Sequence, residues 1–489
     1  MPRGREDAPG RRLRFPSPRG GPKHLPMRPQ PTSLPRVFAL QFAVMAALLL
    51  AACGTAGSRP GAGRPPNRGH APIPAQPPAA SATEDEGLML GIDVLERQDF
   101  ASLRGKRIGL LTHPAAVNRF GTTTLEVIRR DKRNRLVALF AGEHGIYGTV
   151  PAGQKFEDHV DPDTGLQVFS LYTGRTRKPT PAQLAAVDVL VIDLQDIGTR
   201  SYTFVGSMRY AVEACFENNK EVVILDRPNP LGGLKVSGPP LDAPWINFLA
   251  PIQMPYVHGL TMGEIARMAA SEPGMLQVPD AVRQRGHLTV VPMRGWSRAM
   301  RWPDTGLAWY PTSPNMATFQ AVVGYPMTGL GTQIGGFRHG IGTPHPFRLL
   351  THPAIPQADL LRELNSRRIP GLRFSPRDVS VPAPPKAKDP APRLVNGVFV
   401  DVVDWDAWNP TELGLHMMQL SAAASPKRNP FAAASSEEAD LFNKHFGSNA
   451  LWAALKRDGA RLDVKHVFAE WQRQADEFQQ RSRKYWLYR

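Results

Sequence analysis

Apolar residues in the first half of this chain come in short unbroken runs that recur at intervals. Residues 187–194 read VDVLVIDL and residues 221–226 read EVVILD, and an amphipathic stretch from about 207 to 218 lies between them with helical spacing. Two near-continuous apolar runs of strand length joined by a helix of about three turns are what a parallel βαβ unit, buried on both faces, requires. Similar runs stand upstream: KRIGLLTH ending at His113, LVALFAG at 136–142 and LQVFSLY at 166–172. Helical spacing at 91–99 and 122–132 completes an alternation of strand and helix, which predicts a parallel α/β sheet in a domain over 87–242. In open sheets of this kind ligands bind outside the carboxyl ends of the strands. Here those ends carry Glu143 and His144, then Asp193, Gln195 and Asp196 with Arg200 close behind, then Asp226, Arg227 and Asn229.

The second half is less regular. Thr261 followed by Glu264 is a capping box that opens a helix through 270. HLTVVPM at 287–293 reads as a strand, and GVFVDVVDW at 397–405 alternates like a half-buried one. Residues 383–392, APPKAKDPAP, form a linker-like insertion. The expectation is a smaller α+β domain over 243–489 that completes a cleft. A Gly-, Pro- and Asp-rich excursion at 146–165 follows Glu143, and loops of that length inside a compact domain are usually functional or disordered.

Ahead of residue 87 the periodicity vanishes. Arg28 and Arg36 precede an apolar stretch at 37–52 that is too short to span a bilayer comfortably and fits a signal h-region. It closes on Leu50-Ala51-Ala52-Cys53, which resembles a bacterial lipobox; cleavage and acylation at Cys53 are expected. Residues 54–86 are a Gly/Pro/Ala-rich tether. A Pro/Arg-rich extension before a complete signal suggests initiation at Met27. The expected address is the cell envelope, anchored to the membrane by lipid and facing the periplasm from the outer membrane. The chain has 489 residues, 49 prolines and a formal charge of +16, of which residues 1–36 supply +7. The remaining basic excess suits an anionic partner such as an acidic glycan or nucleic acid. Of two cysteines, Cys215 falls on the apolar side of the 207–218 helix and is expected in the core, so no disulfide framework exists.

No dinucleotide fingerprint follows the first strand, and Walker A, G-x-S-x-G and H-E-x-x-H are absent, so no cofactor is expected. Partial desolvation raises a carboxyl pKa toward general-acid use, and a glutamate at a buried strand end beneath a long loop is placed for that. It would equally serve as a helix cap or an arginine partner. Asp193, Asp196 and Asp226 among Arg200 and Arg227 have three readings: a buried ion-pair network, a second carboxylate of the sort glycoside hydrolysis needs, or a metal site with His113 and His144. The spacing carries no standard metal signature, so none is expected. Aromatic residues at 245, 296, 302, 309 and 310 suit either a stacking platform for sugar rings or ordinary packing.

Six stretches occur in one order: GEHG at 142–145, DLQDIGTRSYT at 193–203, LDRPNP at 225–230, HGLTMGEIA at 258–266, SPNM at 313–316 and GIGTPHPF at 340–347. Together they resemble the exo-acting β-N-acetylmuramidases of bacterial peptidoglycan turnover, the NamZ type, formerly a domain of unknown function. The resemblance runs from about residue 88 to the C-terminus. It implies a Rossmann-like domain, a smaller α+β domain and a cleft between them, with release of N-acetylmuramic acid from the non-reducing end of glycan fragments and no nucleic-acid partner. By position it implies Glu143 as the catalytic glutamate, with Asp193 and Asp196 beside it. It implies His144, Gln195, Arg200, Tyr202, Asp226, Arg227, Asn229, His258, Asn315 and Thr343 as substrate contacts. Arg200 or Arg227 would reward the lactyl carboxylate of muramic acid, and two routes stay open, the 2-acetamido group as internal nucleophile oriented by Asp193 or Asp196, or a nucleophile from the protein. One departure is plain: where the family has Ser-Glu-Gly-Arg-Gly-Thr, this chain has Arg338-His339-Gly340-Ile341-Gly342-Thr343. The loss of a glutamate and an arginine opens two alternatives, a binding lipoprotein without turnover and an enzyme of shifted specificity.

Overall fold

The computed structural model describes residues 87–175, 177–383, 391–425 and 427–489. Cys53, the signal segment, the tether and most of the 383–392 insertion lie outside them. Seven strands form one sheet: β1 (Arg107–Thr112), β2 (Arg135–Ala141), β3 (His159–Val160), β4 (Gln167–Ser170), β5 (Val189–Ile192), β6 (Glu221–Leu225) and β7 (Leu288–Val291). Their order is β3-β4-β2-β1-β5-β6-β7, parallel except for β3. A second sheet, order β8-β10-β9, is antiparallel and consists of β8 (Leu349–Leu350), β9 (Leu372–Val381) and β10 (Arg393–Val402). The α/β class expected from the pattern is the one observed.

The apolar runs are continuous because both faces of the parallel strands are covered. In β5, Val189 and Val191 enter one core while Leu190 and Ile192 enter the other; in β6, Val223 and Leu225 alternate with Val222 and Ile224 in the same way. Helices α1 (Gly91–Arg97) and α2 (Thr124–Arg130) cover the first face through Ile92, Leu95, Val127 and Ile128. Helices α3 (Thr203–Glu217) and α4 (Met262–Ser271) cover the second through Phe204, Met208, Cys215 and Ile265. Cys215 is thus a core residue as expected, and α3 begins four residues before the amphipathic stretch. The capping box of α4 forms as the sequence predicts, with the Thr261 hydroxyl accepting from Glu264 N–H.

A further core holds helix α5 (Phe319–Thr328), helix α6 (Glu412–Ala423), strand β10 and the aromatic side chains of Trp408, Phe442 and Phe446. Two features depart from a boundary at 242. The first sheet takes its last strand, β7, from residues 288–291, and the C-terminal helix α7 (Val464–Ser482) returns Ala475 and Phe478 to the α3–α4 core.

The last residues act as a strap. Tyr488 Oη donates to Asp226 Oδ2 at 2.6 Å and accepts from Met293 N–H at 2.9 Å, its ring packing edge-on against Trp296. Leu487 N–H donates to Glu264, which also receives the buried guanidinium of Arg298. Tyr488→Phe would strip a donor from buried Asp226 and leave the Met293 N–H unpaired. The expected result is a loss of about 1–3 kcal/mol in denaturant unfolding.

Burial sets the acid stability. His339, His416 and His445 are each pushed down to about 4 by burial. The unfolded chain, with ordinary histidines, therefore binds more protons between about pH 6.5 and 4, so their contribution is complete above that window and is lost as pH falls through it. Asp226, pushed up to about 6 by burial, works in the opposite direction over nearly the same range. Burial also lowers His113, His345 and His352 and raises Asp93 and Glu412, so the lowered histidines outnumber the raised carboxyls. The thermal midpoint should accordingly drop between pH 6.5 and 4.5, and a flat or rising profile in a buffer series would contradict this.

Candidate active site

Chain direction reverses between β1 and β5: the chain moves outward through β2 and β4, then returns to add β5 and β6 on the other side of β1. That is a topological switch point, where the loops part and a crevice opens. The register pairs Thr112 with Ala141 and Leu111 with Ile192, so His113, Glu143 and the 193–196 segment leave three adjacent strand ends together. Glu143 and Asp193 stand two strands apart, roughly 10 Å along the sheet.

Glu143 is half-buried, and its Oε1 accepts from Gly153 N–H at 2.8 Å, so the 146–165 loop closes onto it as the sequence led one to expect. The turn is made by His144 and Gly145, both at φ +74. A histidine in the left-handed region is uncommon and persists where its surroundings enforce it. Here the enforcing contact is His144 Nδ1 to the Val150 carbonyl, 2.8 Å. The Tyr172 phenol is pushed up to about 12 by burial and by the Glu143 charge beside it, and Arg177 stacks over the same ring.

Asp196 leaves β5 with Oδ2 accepting from Gly198 N–H at 2.8 Å, while its buried Oδ1 has no hydrogen-bond partner. His258 Nδ1 accepts from Leu260 N–H, which puts the ring proton on Nε2, 3.4 Å from Asp196 Oδ2. His113 Nε2 accepts from Gln195 N–H, so Nδ1 carries its proton and stands buried and unpaired. Burial first, then Arg227 and His144, hold His113 well below its ordinary pKa, and it is neutral. Orphaned buried polar atoms are rare in native proteins. Asp196 Oδ1, His113 Nδ1 and Gln195 Oε1 are three of them on neighbouring strand ends.

Tyr325, on α5, lies within reach of the charge of both acids. Its hydroxyl donates to the Ser201 carbonyl at 2.8 Å, and burial together with the charges of Glu143 and Asp196 pushes its pKa up. Tyr202 lies edge-on to Tyr325 and shares a 2.8 Å hydrogen bond with Thr312 Oγ1, three residues before the half-buried Asn315. Neither Tyr325 nor Tyr172 was legible as a site residue. Tyr325 belongs to a helix far along the chain, Tyr172 follows β4, and neither carries a local motif.

Other expected contacts have different work. Asp193 is fully buried: Oδ1 takes Arg227 Nε, and Oδ2 takes Arg227 Nη2 at 2.8 Å and the Thr124 hydroxyl. Its oxygens are occupied, so it is a scaffold carboxylate and not a second catalytic acid. Arg200 is fully buried and donates to the carbonyls of Pro239, Met254 and Phe446 at 2.9, 2.5 and 2.6 Å, so it staples backbone segments instead of gripping substrate. Asp226 accepts from Gly263 N–H, Thr261 Oγ1 and Tyr488, anchoring the N-terminus of α4. Asn229 bonds Leu260 and Leu231, and the Thr343 hydroxyl closes its own turn on Gly340. In each case burial uses the polar group internally, which residue type alone does not reveal. Among the described residues no three His, Cys, Asp or Glu side chains gather as a metal site.

The fold and the site together define a doubly wound α/β protein with carboxylates on the strand ends at its switch point. The chain belongs to the exo-beta-N-acetylmuramidase NamZ family: its N-terminal part matches residues 108–320 and its C-terminal part residues 323–488. It is 35% identical over 420 residues to the peptidoglycan beta-N-acetylmuramidase NamZ of Bacillus subtilis (strain 168), covering 84% of this chain and 95% of that one. Among solved structures it resembles a DUF1343 family protein from Bacteroides fragilis NCTC 9343, with TM-score 0.73 and 36% identity over 82% of this chain and 99% of the other. A second DUF1343 protein from that strain shares the fold at TM-score 0.63 and 24% identity, covering 83% of this chain and 99% of its own.

Proposed function

We propose that this chain is an exo-acting glycoside hydrolase that releases N-acetylmuramic acid from the non-reducing end of peptidoglycan fragments. The observation that carries this reading is that half-buried Glu143 and buried Asp196 follow β2 and β5, the strands on either side of β1, at the switch point of a family member, where the charges of both act on the buried Tyr325. Glu143 protonates the glycosidic oxygen as the aglycone leaves. Asp196, held by Gly198 N–H with Oδ1 unpaired, accepts from the acetamido N–H of the substrate and turns its carbonyl oxygen toward the anomeric carbon. His113 Nδ1–H offers the neighbouring donor. The test is release of N-acetylmuramic acid from a chromogenic muramide and from a muramic acid–glucosamine disaccharide, with and without a chelator. Release that survives the chelator is expected. Binding of the sugar without release would favour the non-catalytic alternative motivated by His339 and Ile341.

The same reading places the enzyme in the cell envelope, acylated at Cys53 and tethered by residues 54–86 at the outer membrane, facing the periplasm. The LAAC sequence closing an apolar run supports it, and Gly54 rather than Asp after the cysteine favours the outer membrane. Cys53→Ser should accumulate as unprocessed full-length precursor on immunoblots of membrane fractions. Normal processing of that variant would remove the anchor.

A further inference from the structure

We infer that a small pocket lined by Gln195 and Arg227, which follow strands β5 and β6, is the subsite for the lactyl carboxylate of muramic acid, an inference that rests on the muramidase reading above. The pocket lies between the loop after β1 and residues 302–310 and encloses about 80 Å3. An apolar cavity of about 150 Å3 holds a benzene ring, so this one takes a branch of a few heavy atoms and not a sugar ring. Val117 and Leu307 give it an apolar side, Arg119 and Arg227 give it positive charge, and no Asp or Glu lines it. A lactyl branch is likewise part methyl and part carboxylate.

Arg227 is fixed before any ligand arrives. Its Nε and Nη2 are spent on Asp193 and on the Val117 carbonyl, the latter at 2.7 Å, which leaves Nη1 as the donor for a ligand. The loop carrying Arg119 is also built in advance: Arg119 N–H donates to Asp93, and Asn118 Oδ1 accepts from Phe120 and Thr122 N–H at 3.0 and 2.9 Å. A guanidinium and a loop backbone ordered in this way lose little entropy on binding.

Gln195 ties the pocket to Asp196. It lines the pocket, Asp196 is its chain neighbour, and both carry a buried oxygen without a partner. On the sugar, the lactyl ether at C3 sits on the carbon next to the acetamido group at C2. A ring whose acetamide meets Asp196 therefore presents its lactyl branch one ring position from that contact, a step short enough to reach a pocket lined by the neighbouring Gln195.

Calorimetric titration of the full chain with N-acetylmuramic acid, its methyl ester and N-acetylglucosamine tests this. The free acid should bind at least about tenfold tighter than either neutral sugar, with the advantage shrinking as salt is raised. Arg227→Lys, which keeps a charge against Asp193, should remove most of that advantage, lowering the affinity for the free acid far more than that for N-acetylglucosamine. Arg119→Gln lies on an exposed loop and should reduce the advantage severalfold, which keeps the test open if Arg227→Lys does not fold. Equal affinities for the three sugars in the unaltered chain, or a preference untouched by the variants that fold, would overturn the subsite. Absence of hydrolysis with the preference intact removes the muramidase reading alone and leaves an anionic-sugar site. Hydrolysis without the preference removes the subsite alone.

Discussion

Glu143→Gln is expected to lower kcat on an unactivated muramic acid–glucosamine disaccharide at least about a hundredfold, the usual scale of a positioned general acid. Glutamine keeps the shape of the side chain and an acceptor for Gly153 N–H, so the turn and the covering loop remain. What disappears is a proton delivered only as the glycosidic bond breaks, and an interaction made only in the transition state is lost from kcat far more than from binding. An aryl glycoside, whose leaving group needs little protonation, should suffer much less. Equal, mild losses on both substrates would show that Glu143 merely positions the sugar, and Asp196 would then become the candidate acid.

The two aspartates after β5 should separate cleanly. Asp193→Ala leaves the Arg227 guanidinium buried without its carboxylate, and breaking a buried pair in this way costs about 3–5 kcal/mol. The expected result is a large fall in the denaturation midpoint, measured alongside activity per folded molecule. Asp196→Asn replaces a carboxylate whose Oδ1 bonds nothing in the protein, so little stability should be lost while kcat falls by an order of magnitude or more on substrates bearing the acetamido group. If Asp193→Ala stayed stable and lost turnover instead, the assignment of scaffold and catalytic roles would be reversed.

Why the sequence reached some of these residues and not others follows from where each side chain's partners lie. Glu143 and Asp196 were visible because they close apolar runs, and a strand end has a known direction in a parallel sheet. Arg200 looked the same on paper, an arginine just after a strand near acids. Its three acceptors sit 39, 54 and 246 positions away, and only folding brings those carbonyls to it. Tyr325 is separated from Ser201 by 124 positions, and only folding brings its helix to that loop.

By itself, then, the sequence determined the alternation of strand and helix, the edge of the sheet that carries polar chemistry, the capping box at Thr261 and the burial of Cys215. These follow from periodicity and local hydrogen bonding, which act over a few residues. Tertiary structure alone decided which acids are spent on scaffolding and which remain unpaired, where the last sheet strand and the C-terminal strap attach, and that Arg227 keeps one donor facing a pocket. Those outcomes turn on burial and long-range pairing: a polar group taken out of water must find a partner within the fold, and the few that do not are left to a ligand.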